Sequence, residues 1–234
     1  MKLIGIVGRA YLNVDNSKII QTYEQVRKVF MNYENVVCIT ILPTENKEYV
    51  DIIPGNDKVD KKIDYVLDKC DAFIIPGGTN YYNFDEYVIN YAIKNDKPLL
   101  AICLGFQLLC SVHAKNRNKF QMNITANLQN HIGKPNEYKH EVYIQNNTLL
   151  KQIINKKVIK VNSIHHDIVN FEMNDLVINA ISDDGIIEGV EYPNKKFIMG
   201  FQWHPEYLLD DNSNKILNNF INSINWGAIL WLKN

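Results

Sequence analysis

The sequence predicts an α/β fold in which a doubly wound, mostly parallel sheet is flanked by helices and extended by antiparallel strands. Two observations support this prediction. In the first half of the chain, short apolar runs typical of buried strands alternate with amphipathic segments typical of helices, as in parallel sheets built from crossover units. Beyond His113 the segments become shorter and more polar, which favours antiparallel strands. We expect one domain over residues 1–234, because α/β domains of this length are common.

The alternation is clearest in the first half of the chain. The predicted strands are Lys2–Val7, Asn35–Leu42, Phe73–Ile75 and Leu99–Ile102, and the predicted helices are Ser17–Met31, Val59–Lys69 and Asp85–Asn95. The first helix depends on apolar side chains at helical spacing after Ser17, a good N-cap residue. Parallel sheets place functional sites at the carboxyl ends of their strands, so the residues that follow the last two of these strands are the first candidates.

The second half predicts shorter elements. Antiparallel strands and loops are expected over Phe120–Asn130 and Glu137–Gln145, a short helix over Thr148–Ile154, strands over Val158–Asn162, Leu176–Ser182, Gly185–Glu191 and Lys196–Gln202, and a closing helix over Asn212–Ile224. The sequence Asp183-Asp184-Gly185 is a good signal for a hairpin turn between two of these strands.

Composition excludes several classes of function. The formal net charge at pH 7 is −1, which provides no electrostatic footprint for nucleic acid. No apolar window is long enough to span a membrane, and the apolar start of the chain is too short for a signal peptide. The apolar stretch Trp226–Leu232 is expected to be a docked tail or a homodimer contact rather than a membrane anchor.

The cysteines indicate a reducing compartment, and a cytoplasmic location fits best. They stand at Cys38, Cys70, Cys103 and Cys110. Their density is far below that of a disulfide scaffold, and none forms a C-x-x-C pair or lies near histidines at zinc spacing. We therefore expect neither a bound metal nor another cofactor.

Cys103 stands at a predicted strand-to-helix turn. The apolar run Leu99–Ile102 leads into it, and Leu104–Leu109 predicts the start of a helix. Such a turn lifts the side chain over a helix N-terminus, where the macrodipole and unpaired N–H groups favour an anion such as a thiolate. The small residues Ala101 and Gly105 suit a tight turn. This pattern indicates a nucleophile elbow with Cys in place of Ser, although a buried structural cysteine would also fit.

Two other stretches can supply the rest of a hydrolytic site. The last predicted strand is followed by His204 and Glu206, which would share one face of an extended segment. The His could then meet a thiol while the Glu orients the other ring nitrogen, as in a catalytic triad. The third predicted strand ends in Gly77-Gly78, a turn that can direct backbone N–H groups at a developing oxyanion.

Together these stretches resemble the class I glutamine amidotransferase-like superfamily. The resemblance depends on Cys103 within AICLGFQLL, on His204 and Glu206 within FQWHPE and on the preceding PGG turn, and it extends from about Met1 to Leu208. The segments VNSIHH and DGIIEGVE resemble the γ-glutamyl hydrolase branch, peptidase C26, which includes γ-glutamyl-γ-aminobutyrate hydrolases.

The resemblance implies a flavodoxin-like sheet and an enzyme that cleaves a γ-glutamyl amide through a γ-glutamyl thioester. It assigns the nucleophile to Cys103, the acid and base to His204 and the orienting carboxylate to Glu206. It places the oxyanion hole at the backbone N–H groups of Gly78 and Leu104. The residues that it places at the substrate are Gly77, Gln107, Asn162, Ser163 and His165. Of these, Gln107 and Ser163 are expected at the glutamyl part, and His165 is a candidate for the wall of the leaving-group pocket.

Two activities remain open. The favoured one is a stand-alone hydrolase that releases glutamate and an amine from a small γ-glutamyl conjugate, with Tyr81, Tyr82 and Phe84 expected to pack on the leaving group. The alternative is a glutaminase subunit that delivers ammonia to a separate synthetase partner. Leu104 is the residue that many amidotransferases carry directly after the nucleophile, whereas many hydrolases of the branch carry Arg. A binding protein that has lost activity is disfavoured by the intact Cys, His and Glu.

Overall fold

A computed structural model describes residues 1–43, 57–116 and 129–224, together with the backbone of 123–124. Its strands, in chain order, are β1 (Lys2–Val7), β2 (Arg9–Leu12), β3 (Lys18–Gln21), β4 (Val36–Ile41), β5 (Ala72–Ile75), β6 (Leu99–Ile102), β7 (Asn123–Ile124), β8 (His140–Ile144), β9 (Val158–Val161), β10 (Asp167–Ile168), β11 (Val177–Ser182), β12 (Ile187–Glu191) and β13 (Ile198–Phe201). Its α-helices are α1 (Glu24–Phe30), α2 (Asp64–Lys69), α3 (Asn83–Lys94), α4 (Leu104–Val112), α5 (Leu149–Ile154), α6 (Pro205–Leu208) and α7 (Asp211–Ile224). Short 3₁₀ turns lie at Lys61–Ile63 and Gln129–His131.

Nine strands form one sheet in the order β4-β1-β5-β6-β13-β12-β11-β8-β9. The first five strands of this order run parallel, and β6 lies between β5 and β13. The last four strands continue the sheet as an antiparallel extension. The predicted mostly parallel sheet with added antiparallel strands is therefore confirmed.

Helices cover both faces of the sheet and enclose two apolar cores. On one face pack α1, α5 and α7, and there the rings of Phe30 and Phe220 meet edge to face with centroids 5.8 Å apart. On the other face pack α2, α3 and α4, through side chains such as Leu67, Val88 and Leu109. Strands β5 and β6 are buried at every residue, as strands covered on both sides must be.

The predicted helix Ser17–Met31 is wrong in its first half. Strands β2 and β3 form an antiparallel hairpin there, so Ile19 and Ile20 lie in a strand, and α1 begins only at Glu24. The turn of the hairpin includes Asn16 at a φ of 62°. Over so short a stretch, two adjacent β-branched residues fit the spacing of a helix and that of a strand equally well. Pairing with β2 then stabilises the strand.

The remaining predicted elements that fall on described residues agree with the structure to within a few residues, but three features differ. The short helix α6 and the small β7–β10 pairing were not predicted. Tyr82, the N-cap of α3, and Phe84, in its first turn, are buried in the core and line neither of the cavities beside Cys103 described below, which corrects their predicted contact with a leaving group. The stretch Trp226–Leu232 lies outside the described residues, as does most of Phe120–Asn130.

In the part of the chain that the structure describes, no helix combines the length and the apolar character needed to cross a bilayer. All four cysteines are free. Burial raises the pKa of Cys38 and of Cys70 to about 11, and it raises the pKa of Cys110 well above its ordinary value. Because the thiolate is the reactive form, these three thiols are poor nucleophiles near neutral pH.

Candidate active site

Cys103 occupies a strained turn between β6 and α4. Its backbone has a φ of 52° and a ψ of −108°, a conformation that residues other than glycine rarely adopt. The turn is held from both sides. The Cys103 N–H donates to the Phe201 carbonyl on β13 at 2.8 Å, and the Cys103 carbonyl accepts from the Gln107 N–H at 3.0 Å. This is the geometry of a nucleophile elbow, which presents a side chain at the carboxyl end of a sheet.

Gly105 is required by the close approach of α4 to β5. A Cβ atom at this position would lie 2.1 Å from the Ile75 carbonyl oxygen and 2.8 Å from its carbonyl carbon. No side chain fits there unless the helix or the strand moves. The contact with Ile75 therefore explains why a small residue, Gly105, is needed two positions after Cys103.

His204 and Glu206 form an ion pair at the end of β13. His204 Nδ1 lies 2.7 Å from Glu206 Oε1, and the two side chains are 12% and 3% exposed. The local backbone that brings His204 and Glu206 together differs from the extended segment that we predicted. His204 is the N-cap of α6, Pro205 occupies the first helical position, and Glu206 lies in the first turn. A helix start, rather than an extended segment, brings the two side chains together.

The His204 ring also meets Cys103. Burial alone would lower the pKa of His204, but the Glu206 carboxylate and a side-chain hydrogen bond with Cys103 outweigh it and raise that pKa well above its ordinary value. Gly77 packs against both residues, since a Cβ atom there would lie 3.1 Å from His204 Cε1 and 3.4 Å from Cys103 Cβ. The structure thus brings together the Cys, the His and the Glu in the order that a triad needs.

Asn162 holds the backbone of His204 in place. The His204 N–H donates to Asn162 Oδ1 at 2.9 Å, and Asn162 Nδ2 donates to the His204 carbonyl at 2.9 Å. The same amide also donates to the Pro135 carbonyl. Asn162 is fully buried and lines neither of the two cavities beside Cys103. Its contacts are those of a positioning residue, in contrast to the substrate contact expected from the sequence.

A buried ion pair that the sequence reasoning missed supports the glycine turn. Arg9 donates to the Gly77 carbonyl at 3.2 Å and to the Pro76 carbonyl at 2.7 Å, and it also pairs with Asp85. The Arg9 and Asp85 side chains are 5% and 1% exposed. The only signal in the sequence was a charged residue, Arg9, two positions after the apolar strand β1.

Two cavities meet at Cys103. One has a volume of about 270 Å³ and the other about 260 Å³, and the residues that they share are Gly78, Thr79, Cys103 and Ile164. The larger cavity is otherwise lined mainly by apolar and aromatic residues, among them Tyr23, Val26, Pro135 and Tyr207. The smaller cavity is otherwise lined by Leu104, Gln107, His165, His166 and Asp167. The thiol can therefore be reached from two chemically different sides.

Comparison with known proteins places this geometry in a family. The model of the family Peptidase C26 matches residues 82–206, which is more than half of the chain and includes the Cys, the His and the Glu. The chain belongs to the peptidase C26 family, within the class I glutamine amidotransferase-like superfamily.

Individual relatives agree with this assignment. A glutamine amidotransferase-like protein of Rickettsia prowazekii is 30% identical over 200 residues, which cover 68% of this chain and 71% of that protein. A CTP synthase of Thermosipho africanus is 29% identical over 238 residues, and the match covers 87% of this chain but only 42% of the synthase. Among solved structures, the glutaminase domain of Trypanosoma brucei CTPS with bound acivicin has a TM-score of 0.66 at 19% identity and covers 99% of this chain and 96% of that chain, a likeness of fold.

In this peptidase C26 chain, the predicted substrate-binding residues divide into three groups. Gly77 lines the larger cavity, whereas Gln107 and His165 line the smaller one. Gln107 Nε2 donates to the Asp167 carbonyl and to Gln202 Oε1, both at 3.1 Å, so its amide oxygen is the group left to accept a hydrogen bond. Ser163 is fully buried, and like Asn162 it lines neither cavity.

Proposed function

We propose that this peptidase C26 chain is a cysteine hydrolase that cleaves the γ-glutamyl amide bond of a small conjugate. The Cys103 thiolate attacks the amide carbonyl, the C–N bond breaks, and imidazolium His204 gives its proton to the departing amine. A water molecule deprotonated by His204 then attacks the γ-glutamyl thioester, which releases glutamate and restores the thiol. Glu206 holds the His204 ring in orientation throughout.

The oxyanion formed in each step is stabilised by backbone N–H groups. Leu104 opens α4, and the first N–H groups of a helix have no partner within that helix. Gly78 lies on the facing turn, close enough for a Cβ atom there to be 3.5 Å from Leu104 Cδ2. Donors fixed in this way act on charge that develops only in the transition state, and each one typically contributes about 10²–10³-fold to kcat.

The observation that carries the proposal is the pair of cavities at Cys103. The glutamyl group fits the smaller cavity, where the Gln107 amide oxygen can accept from the α-ammonium. The leaving amine fits the larger cavity, whose walls include Tyr23, Val26 and Tyr207. Glutamine releases only ammonia, so as a substrate it would leave this cavity of about 270 Å³ without a bound group.

A second candidate function is a glutaminase that delivers ammonia to a separate synthetase. It is favoured by the similarity to CTP synthase and by the shared fold with a glutaminase domain. Under this function the larger cavity would accommodate part of a partner protein rather than part of a substrate. The glutamyl chemistry at Cys103 would be the same, so only the choice of leaving group distinguishes the two functions.

The test is a steady-state comparison of kcat/KM for glutamine and for a panel of γ-glutamyl amines of increasing apolar size. Purified chain without any partner should hydrolyse one of the larger amides at least about tenfold more efficiently than glutamine, since binding of the leaving group positions the carbonyl over the thiol. Glutamine as the best substrate, with stimulation by a synthetase, would establish the second function instead.

A variant pair makes the test specific to the cavity. Tyr23→Ala removes an aromatic wall and should lower kcat/KM for the preferred amide by roughly 10-fold or more, while leaving that for glutamine nearly unchanged. Tyr65→Ala is the matched control, because Tyr65 is 73% exposed on α2, against the opposite face of the sheet from α1. Equal losses for both substrates in Tyr23→Ala would contradict the assignment of the larger cavity to the leaving group.

A further inference from the structure

Three histidines and a glutamate converge in the interior beside the smaller cavity. His131 ends a 3₁₀ turn, His140 begins β8, His165 follows β9, and Glu188 lies on β12. Their exposed fractions are 0%, 7%, 3% and 0%. One side-chain nitrogen or oxygen from each residue lies within 4.8 Å of those from the other three. The four converging atoms are His131 Nδ1, His140 Nε2, His165 Nε2 and Glu188 Oε1.

Four of the six distances between these atoms are close to the edge length of a coordination tetrahedron, and the other two are within 4.8 Å. Glu188 Oε1 lies 3.2 Å from His131 Nδ1, 3.3 Å from His165 Nε2 and 3.8 Å from His140 Nε2. His131 Nδ1 and His165 Nε2 are 3.1 Å apart. A zinc ion with bonds of about 2.0–2.1 Å to nitrogen and oxygen has ligand atoms about 3.3–3.4 Å apart when it is tetrahedral.

Each histidine uses its other ring nitrogen as a donor that points away from the centre. His131 Nε2 lies 3.0 Å from Asp184 Oδ2, His140 Nδ1 lies 3.2 Å from the Glu141 carbonyl, and His165 Nδ1 lies 3.0 Å from the Asp167 carbonyl. A carbonyl or an ionised carboxylate can only accept, so these outer nitrogens carry protons, and in a neutral ring the inner nitrogen has a free lone pair for a cation. Three lone pairs and a carboxylate oxygen then face one another. Histidines that bind metals show this same outer arrangement.

The inner atoms lack any other partner among the described residues. Among the described residues, His140 Nε2 and both Glu188 oxygens are buried without a well-formed hydrogen bond, although Glu188 Oε1 lies 3.2 Å from His131 Nδ1 and 3.3 Å from His165 Nε2. Leaving a carboxylate buried without a compensating cation costs several kcal/mol. One additional proton on a ring would satisfy only one pair of these atoms, whereas a cation at their centre satisfies all four.

We propose that His131, His140, His165 and Glu188 bind a divalent transition-metal ion, with zinc as the best match. Imidazole nitrogen with one carboxylate oxygen in a four-coordinate, buried arrangement is a donor set typical of zinc. Four protein ligands complete the tetrahedron, so no position remains for an activated water and the role of the ion is structural. The prediction of no metal from the sequence considered only ligands close together in the chain, and these four are far apart.

The proposed site supports the wall of the smaller cavity. The Asp167 carbonyl that accepts from His165 Nδ1 also accepts from Gln107 Nε2 at 3.1 Å. The ion would therefore fix the loop after β9 to β8 and β12, and through Asp167 it would fix the side chain of Gln107. Removal of the ion should disturb glutamyl binding as well as stability.

The first test is the metal content of the full chain, measured by inductively coupled plasma mass spectrometry after expression in zinc-supplemented medium. The measurement uses the Cys103→Ala variant beside the wild type, because a free thiolate next to His204 is itself a zinc ligand. About one zinc per chain should be found in both proteins. Stoichiometric zinc that is lost with Cys103→Ala would place the ion at the nucleophile and overturn the proposal.

Ligand variants test the location of the ion. In the Cys103→Ala background, His140→Gln and Glu188→Gln should each lower zinc affinity at least tenfold, and Asp184→Asn should lower it by roughly 10–100-fold through His131. His166→Gln is the matched control, because His166 is the exposed neighbour of His165 and is not one of the four converging residues, and it should keep the wild-type zinc affinity. Wild-type zinc affinity in His140→Gln or Glu188→Gln would overturn the proposal.

Cobalt titration covers the case in which ligand variants do not fold. Chelator-treated Cys103→Ala protein should take up one Co²⁺ with the intense visible bands of four-coordinate cobalt, and Zn²⁺ should displace it. The same addition should raise the unfolding midpoint of the metal-free chain. A chain that remains folded and takes up neither Zn²⁺ nor Co²⁺ would show that protons alone neutralise the cluster, and the proposal would be wrong.

Discussion

Arg9→Met tests the buried ion pair beneath the glycine turn. The substitution keeps an unbranched side chain of similar length but removes the hydrogen bonds to the Pro76 and Gly77 carbonyls. It also leaves Asp85, whose side chain is 1% exposed, without its cation. Two consequences follow, one for stability and one for catalysis.

The loss of stability follows from the burial of the pair. Removing one partner of a buried ion pair costs about 3–5 kcal/mol, because the remaining charge is left uncompensated. For a chain of this length that corresponds to a fall of about 6–20 °C in the unfolding midpoint. The double variant Arg9→Met/Asp85→Asn should recover about 2 kcal/mol or more, since the introduced amide carries no charge and its oxygen can still accept from the Tyr82 N–H.

The catalytic effect follows from the turn that Arg9 holds. Without its two carbonyl contacts, the N–H of Gly78 is free to move away from the oxyanion position. A displacement of about 1 Å at such a donor lowers kcat by roughly 10–100-fold, with KM changed less. The double variant should recover stability without recovering kcat, because it restores neither contact to the turn.

Thermal unfolding by circular dichroism and steady-state hydrolysis measure the two effects. Arg27→Met is the matched control, because Arg27 pairs with Glu24 on the surface of α1 and its loss should leave both measurements nearly unchanged. The reasoning would be refuted by an Arg9→Met midpoint within about 2 °C of the wild type. It would equally be refuted by a double variant less stable than the single one.

Three further predictions concern the nucleophile and its surroundings. Cys103→Ala should lower turnover by roughly 10⁴-fold or more at an almost unchanged unfolding midpoint, and residual activity above that level in the hydrolysis assay would exclude the thiol mechanism. Glu206→Gln should reduce kcat less than His204→Asn does. The alkaline limb of its kcat/KM profile should lie at lower pH than in the wild type, because Glu206 raises the pKa of His204 and without it the imidazolium loses its proton at lower pH. Gly105→Ala should lower the free energy of unfolding, measured in urea, by about 1–3 kcal/mol or more, because the new Cβ atom would lie 2.1 Å from the Ile75 carbonyl oxygen. An unchanged free energy of unfolding would mean that α4 is free to shift.

Much of the fold could be predicted because the central strands carry an unambiguous pattern. Strands such as β5 and β6 are continuous apolar runs, and only burial on both faces explains them. The hairpin before α1 could not be predicted, since Ile19-Ile20 fits a helix and a strand equally well until β2 pairs with it. The role of the Asp184 turn was also hidden, because its carboxylate contacts His131, a residue distant in the chain.

In the candidate site, too, features that depend on neighbouring residues could be predicted, whereas contacts between residues distant in the chain could not. Cys103, His204 and Glu206 lie in local motifs, so their convergence could be predicted from the sequence. The residues that hold them depend on contacts distant in the chain, as with Arg9 below the glycine turn and Asn162 behind His204. A pattern of neighbouring residues carries no information on such contacts.

The loop after β9 connects the two centres that the structure places side by side. Its first residue, Asn162, fixes both the N–H and the carbonyl of His204. Three residues later His165 enters the histidine cluster, and the carbonyl of Asp167 binds Gln107 at the other side of the nucleophile. A single displacement of this loop would therefore move His204 and the smaller cavity together. A metal ion bound to His165 would fix the loop between Asn162 and Asp167, and it would thereby hold both His204 and Gln107 in place.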